Sequence, residues 1–221
     1  MVKKQKKANK YSEGDLIDLF GLNRLKGNDK MALMSEWTTI DMPILTAFEQ
    51  QTFDIIFENA YQNIEGWNEE ELKMKFLAFV VILGHLSDTK WYKTYYEREI
   101  FTKINDIYLY VKTDFMIAKG NMDKPKIPYF YFQEYKKLKD PNGDPVAQLL
   151  EAFLIAQKQN SLKNTLYGCT VTGKLWDFFI LEDKTYCISK SYDCTEKDGL
   201  LQIIGILRKF KEILETKLLD K

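Results

Sequence analysis

Strand-like alternation is strongest from Tyr129, where YFYFQEYKKLKD divides into two faces and one of them runs Phe130, Phe132, Glu134, Lys136, Leu138. A carboxylate and an ammonium thus follow two phenylalanines on the side expected to point inward. The segment 128–138 predicts the strongest strand of the chain. Shorter β patterns stand before it at 107–111 and 114–118, parted by Lys112-Thr113, and after it at 167–172 and 175–181, which turn at Gly173. A further strand is expected at 185–189.

Helical spacing frames these strands. The segment 12–22 predicts a short helix, and 43–63 a longer one with Leu45, Phe48, Phe53, Ile56, Phe57 and Tyr61 at mostly helical intervals. Gly66 interrupts, and Asn68 caps a third helix whose stripe is Leu72, Phe76, Phe79, Val80 and Leu83. Three glutamates fill its first turn, where the helix dipole favours them. Asp140-Pro141-Asn142-Gly143 predicts a turn; Asp144 as cap and Pro145 as first helical residue then open a helix reaching Gln159. An amphipathic helix over 200–219 closes the chain. The order predicts an α/β fold, with helices packed on a mixed sheet. We divide it into a basic tail and helical extension over 1–65 and a main domain over 66–221.

Composition narrows the function classes. The 221 residues are 45% hydrophobic and 29% charged, the balance of an ordinary globular protein. Lys plus Arg equals Asp plus Glu at 32 each, which argues against gripping polyanions through overall charge and leaves local basic patches open. Cys169, Cys187, Cys194 and the single His85 show no zinc-ligand spacing, so a reduced cytoplasmic setting is expected. The apolar run 77–83 falls far short of the roughly 20 residues that span a bilayer, so no membrane association is expected. MVKKQKKANK reads as a frayed tail, although a basic tail can also touch nucleic acid.

Candidate chemistry centres on Asp114, beside a short strand, and on Glu134 and Lys136 about 20 residues later. Carboxylates from neighbouring strands can converge on one hard cation, because Mg²⁺ (or Mn²⁺) takes oxygen ligands and keeps several waters. Such an ion would polarise a phosphodiester and acidify a bound water, while Lys136 could orient that water or steady developing charge.

These residues resemble a known superfamily, the PD-(D/E)XK or restriction-endonuclease-like nucleases. The resemblance rests on Asp114 in KTDFMIAKG, on Glu134-Tyr135-Lys136 in YFYFQEYKK, and on Gln148 in DPVAQLLEAF. It is nearest to the nuclease domain at the N-terminus of type I restriction subunits and to stand-alone bacterial relatives. There a strand with metal-binding Glu-x-Lys precedes a helix containing Gln, and a later segment like YGCTVTGKLWDFFIL forms a strand pair. The likeness spans 68–210 and implies a metal-dependent endonuclease acting on DNA, with Asp114 and Glu134 as metal ligands and Lys136 and Gln148 in the catalytic set. It also implies a glutamate on the first helix, within Glu69-Glu70-Glu71. Glu69 is our choice, one turn before Leu72 and near the line of Phe76 and Val80. Two departures stand out: Thr113 precedes Asp114 where the motif has Pro, and no helicase motor accompanies the domain.

Plainer readings stand beside these. Glu134 and Lys136 can be a partly buried ion pair, the glutamate run a solvated helix start, and Gln148 either a site residue or part of a packing layer. Lys119, Lys124, Lys126, Lys136, Lys137 and Lys139 flank the candidate site and could meet phosphates. Trp91, Tyr92, Tyr95 and Tyr96 fit core packing better than base stacking. His85 follows Gly84 at a helix end, where a dipole contact is favoured over catalysis. GCTVTGKL has the spacing of a phosphate loop, but Leu175 stands where Ser or Thr must ligate magnesium, and a hairpin explains Gly173 better. The alternative function is a catalytically silent nuclease-like scaffold that binds nucleic acid or protein within a defence complex, as a homodimer or with a partner chain.

Overall fold

The computed structural model describes residues 11–26, 31–137, 144–161 and 165–219. One mixed sheet of eight strands organises the chain, with strand order β1-β7-β6-β5-β4-β3-β2 and β8 paired to β6. Its strands are β1 (Asn23–Leu25), β2 (Lys93–Ile104), β3 (Ile107–Asn121), β4 (Lys124–Lys136), β5 (Leu166–Thr172), β6 (Leu175–Glu182), β7 (Thr185–Ile188) and β8 (Tyr192–Asp193). Pairs β1–β7 and β4–β5 are parallel; the others are antiparallel.

Helices cover both faces because both faces are apolar. Helices α1 (Glu13–Phe20) and α6 (Pro145–Asn160) build one core with Leu149, Phe153, Met116 and Phe132. The other core holds Trp37, Phe76, Tyr131, Phe178 and Phe210. It takes in α2 (Ala32–Thr38), α3 (Ala47–Asn63), α4 (Glu69–Leu72), α5 (Ala78–Leu83) and α7 (Lys197–Ile213). A π-helical segment, Lys73–Leu77, joins α4 to α5. The described N-terminal residues, from Tyr11 on, pack into this body. Leu16, Phe20, Trp37 and Phe53 are buried in the two cores, and the Trp37 indole donates to the Ile206 carbonyl at 2.9 Å.

Several local expectations hold. Asn68 caps α4 and Asp144 caps α6, and the short helix expected over 12–22 is α1, which Ser12 caps. Gly173 sits at φ 58° in the β5–β6 hairpin, which disposes of the phosphate-loop reading. Gly168 is needed where β5 meets β4, since a Cβ there would stand 2.6 Å from the Phe132 carbonyl oxygen.

Other expectations are corrected. The two strands at 107–111 and 114–118 are one: Lys112 and Thr113 keep their register with Glu99 and Arg98 of β2. The aromatic cluster belongs to a strand region that alternation did not reveal, because β2 is an edge strand whose Glu97-Arg98-Glu99 run serves the exposed rim. Its Tyr92 and Tyr95 are buried, whereas Trp91 and Tyr96 are largely exposed. The supposed inward face of β4 is broken by a register shift opposite Ile117 and Ala118, so Phe130 joins the core of Tyr131 while Phe132 joins the other. The turn at 140–143, with Leu138 and Lys139, lies outside the described residues.

Candidate active site at the end of strands β3 and β4

Phe115 pairs with Gln133, so the next step of the same register sets Asp114 opposite Glu134. On the outer side, Tyr96 and Arg98 pair with Phe115 and Thr113, and Glu97 stands across from Asp114 between them. Inward, Glu134 pairs with Thr170 and Thr170 with Asp177. A polar row thus crosses five strands, at mid-length of β2 and β3 and near the end of β4. Glu97 takes a left-handed backbone, φ 55°, within its strand. That costs a non-glycine residue about 1–3 kcal/mol, and here it accompanies ion pairs from the Glu97 carboxylate to Lys73 and Lys112.

Asp114 is buried and firmly held. The Tyr135 amide donates to its Oδ2 at 2.8 Å, and Lys73 donates to its Oδ1 at 3.0 Å. Burial raises its pKa, and those two donors only partly offset the rise. Lys73 also donates to Glu69 Oε1 and to Glu97 Oε1, each at 2.8 Å. Burial alone would lower the Lys73 pKa; Glu69, Glu97 and Asp114 outweigh it and hold the ammonium charged. Burial likewise pushes Glu97 up, but bonds from Lys112 and Lys73 prevail and bring it to about 2.

Glu134 is different. It is 1% exposed, and neither carboxylate oxygen has a hydrogen-bond partner. Burial drives its pKa well above the usual carboxylate range, the Asp114 charge adds to the rise, and Lys136 and Lys73 oppose it without cancelling it. Gln148, half-buried in the first turns of α6, also has a buried side-chain oxygen without a partner. Lys136 lies 3.9 Å from Glu69 Oε2.

The structure thus gathers Asp114, Glu134, Lys136 and Glu69 into one electrostatic cluster. Of the three glutamates at the start of α4, Glu69 reaches it; Glu70, largely exposed, stands 3.9 Å from Lys73, and Glu71 pairs with Lys75 while completing the Asn68 cap. Lys119, Lys124 and Lys126 do not belong there. Lys126 pairs with Lys119 at the opposite end of the β3–β4 hairpin, eight strand residues from Glu134 or roughly 26 Å. His85 is remote as well, and its Nε2 lies 2.7 Å from Glu49 Oε1.

Two members, Lys73 and Glu97, escaped the sequence reading. The Glu69-to-Lys73 spacing of four residues is a recognisable helical pair. Glu97 carried no such signal, because charges on an edge strand are common.

Among the described residues, no group of three or more His, Cys, Asp or Glu side chains forms a ready metal cage. The donor chemistry still suits a hard ion of the Mg²⁺ class, which binds through one or two carboxylates and retains water. The observation that fits is the pair of orphaned Glu134 oxygens, opposite an Asp114 with acceptor capacity left over.

Fold and site together define a mixed α/β protein with a carboxylate-lysine cluster on its sheet. Comparison with protein-family models found no match, and comparisons with curated proteins and with solved structures found none either. Among the described residues no helix is long and apolar enough to cross a membrane.

Proposed function

We propose that this chain is a metal-dependent nuclease that hydrolyses phosphodiester bonds in DNA, built on a restriction-endonuclease-like core. One observation carries the reading: a carboxylate buried to 1% exposure, both oxygens unpartnered, set opposite a second carboxylate and followed two residues later by a lysine. Burying an ion without compensation costs several kcal/mol. A cationic ligand removes that cost, and so makes sense of a residue that packing alone would replace with leucine. The element order adds support, because a capped helix bearing Glu69, the strand of Glu134 and Lys136, a helix containing Gln148 and a later strand pair follow one another as the PD-(D/E)XK resemblance implies.

Asp114 and Glu134 would hold the ion, Mg²⁺ or Mn²⁺, with the Tyr135 carbonyl as a further oxygen. When bound, the ion supplies Lewis-acid polarisation of the phosphorus centre and acidifies a coordinated water. The Tyr135 amide keeps the Asp114 carboxylate in one orientation. Lys136, its amine part-buried beside Glu69, offers N–H donors to orient the attacking water and to steady charge on the phosphate oxygens. Gln148, with an oxygen unpaired, can accept a hydrogen bond from that water.

The test is cleavage of plasmid and oligonucleotide DNA in Mg²⁺ or Mn²⁺, with chelated controls and Asp114→Asn/Glu134→Gln as the comparison. Equal rates from parent and double variant would sink the proposal. Metal-induced thermal stabilisation that vanishes in Glu134→Gln supports it. A parent that neither cleaves nor responds to millimolar metal belongs instead to the silent binding scaffolds.

A further inference from the structure

We infer that Lys73 is a built-in cation that fills the place of a second metal ion, so that the site takes a single divalent ion, at Asp114 and Glu134. This rests on the metal-dependent reading above and deepens it. An ammonium has three N–H donors and no acceptor. Lys73 directs donors to three carboxylates on three different elements: Glu69 of α4 at 2.8 Å, Glu97 of β2 at 2.8 Å and Asp114 of β3 at 3.0 Å. Its side chain is 17% exposed, so the amine is enclosed by these groups and does not wave in solvent.

Three convergent carboxylates from a helix and two strands are what a second divalent ion would need, and here an amine tethered to the chain takes their inward oxygens. The remaining Glu97 oxygen is paired with Lys112, and Glu69 Oε2 faces Lys136 at 3.9 Å. Glu134 is the exception. It is unpartnered and buried, and it senses the charges of Asp114, Lys136, Lys73 and Glu69. The vacant valence of the cluster is therefore on the Glu134 side of Asp114 alone.

Glu69 is accordingly a partner of Lys73 and not a ligand to a second ion.

The experiment counts Mn²⁺ bound per chain by calorimetry and electron paramagnetic resonance, on parent, Lys73→Met and Lys73→Met/Glu97→Gln. Parent protein is expected to bind one ion, Lys73→Met two, and the double variant one again. Two ions on the parent would overturn the inference and leave the nuclease reading standing. No ion on the parent would overturn both. A folded Lys73→Met variant that still binds one ion would also overturn it. Because removing the amine leaves three carboxylates facing one another, folding is checked by circular dichroism with Mn²⁺ present. Should Lys73→Met not fold even then, Lys73→Gln, which keeps an N–H donor but loses the charge, takes its place with the same expected count of two ions, and a folded Lys73→Gln that binds one overturns the inference.

Discussion

Adjacent residues on β4 bury polar groups in opposite ways. Gln133 points into the core of Tyr131 and Tyr135; its amide donates to the Tyr131 hydroxyl at 2.8 Å, and its oxygen accepts from the Tyr135 hydroxyl. All three side chains are buried, and their network continues to the buried Cys169 thiol, so each group has a partner. Glu134, one residue on and facing the other side of the sheet, has no partner for either oxygen. A closed buried network rigidifies a strand and needs nothing more. An open one next to a second carboxylate is a place kept for a ligand, and the contrast separates framework from candidate chemistry without appeal to any relative.

The largest effect expected from breaking this contrast is on cleavage. Glu134→Gln should reduce metal-dependent hydrolysis by about 10³-fold, the scale of losing a charge-stabilising group, while Gln133→Leu should leave the rate within a few-fold. Comparable rates in the two variants would erase the distinction. Stability should move the other way. Gln133→Leu takes a partner from two buried tyrosine hydroxyls and should cost about 1–3 kcal/mol, read as a lower midpoint in urea. Metal-free Glu134→Gln should be at least as stable as the parent at neutral pH, since it removes an unpaired buried acid.

A smaller, pH-dependent effect sharpens the same point. Glu134 is raised well above the ordinary carboxylate pKa of 4.5, and burial raises Glu151 to about 7 despite its bond from the Tyr110 amide. In each case the folded chain binds a proton that the unfolded chain has released. Metal-free stability should therefore fall as pH rises above 4.5, through about 7 for Glu151, with Glu134 contributing in the same direction. Glu151→Gln should remove the part of that decline centred near 7, and Glu134→Gln should remove a further part; denaturation midpoints across the range measure both. The smallest effect belongs to Lys119→Ala and Lys126→Ala at the far end of the hairpin. These should change stability by less than about 0.5 kcal/mol and leave metal affinity unaltered, as titration calorimetry would record.

Much of this arrangement was legible in the chain. Asn68 and Asp144 announced two helices because a short polar side chain before an apolar stripe has few other uses. Glu134 drew notice because a carboxylate on an aromatic strand is chemically out of place. Strand β2 was not legible, since an edge strand tolerates charge on its exposed side and loses clean alternation. The register shift near Phe130 was equally hidden, because a one-residue bulge depends on the partner strand.

Sequence alone determined much of the local grammar of this protein, β2 and α2 apart: where α4 and α6 begin, and that Asp114, Glu134 and Lys136 lie on strands. These follow from interactions within a few residues of one another. Only the tertiary structure decided that Lys73 from a helix and Glu97 from a rim strand meet Asp114, and that Glu134 lies there unpaired. Such facts depend on sheet order and register, which join residues 41 positions apart as readily as neighbours. They become visible only once the whole sheet is assembled.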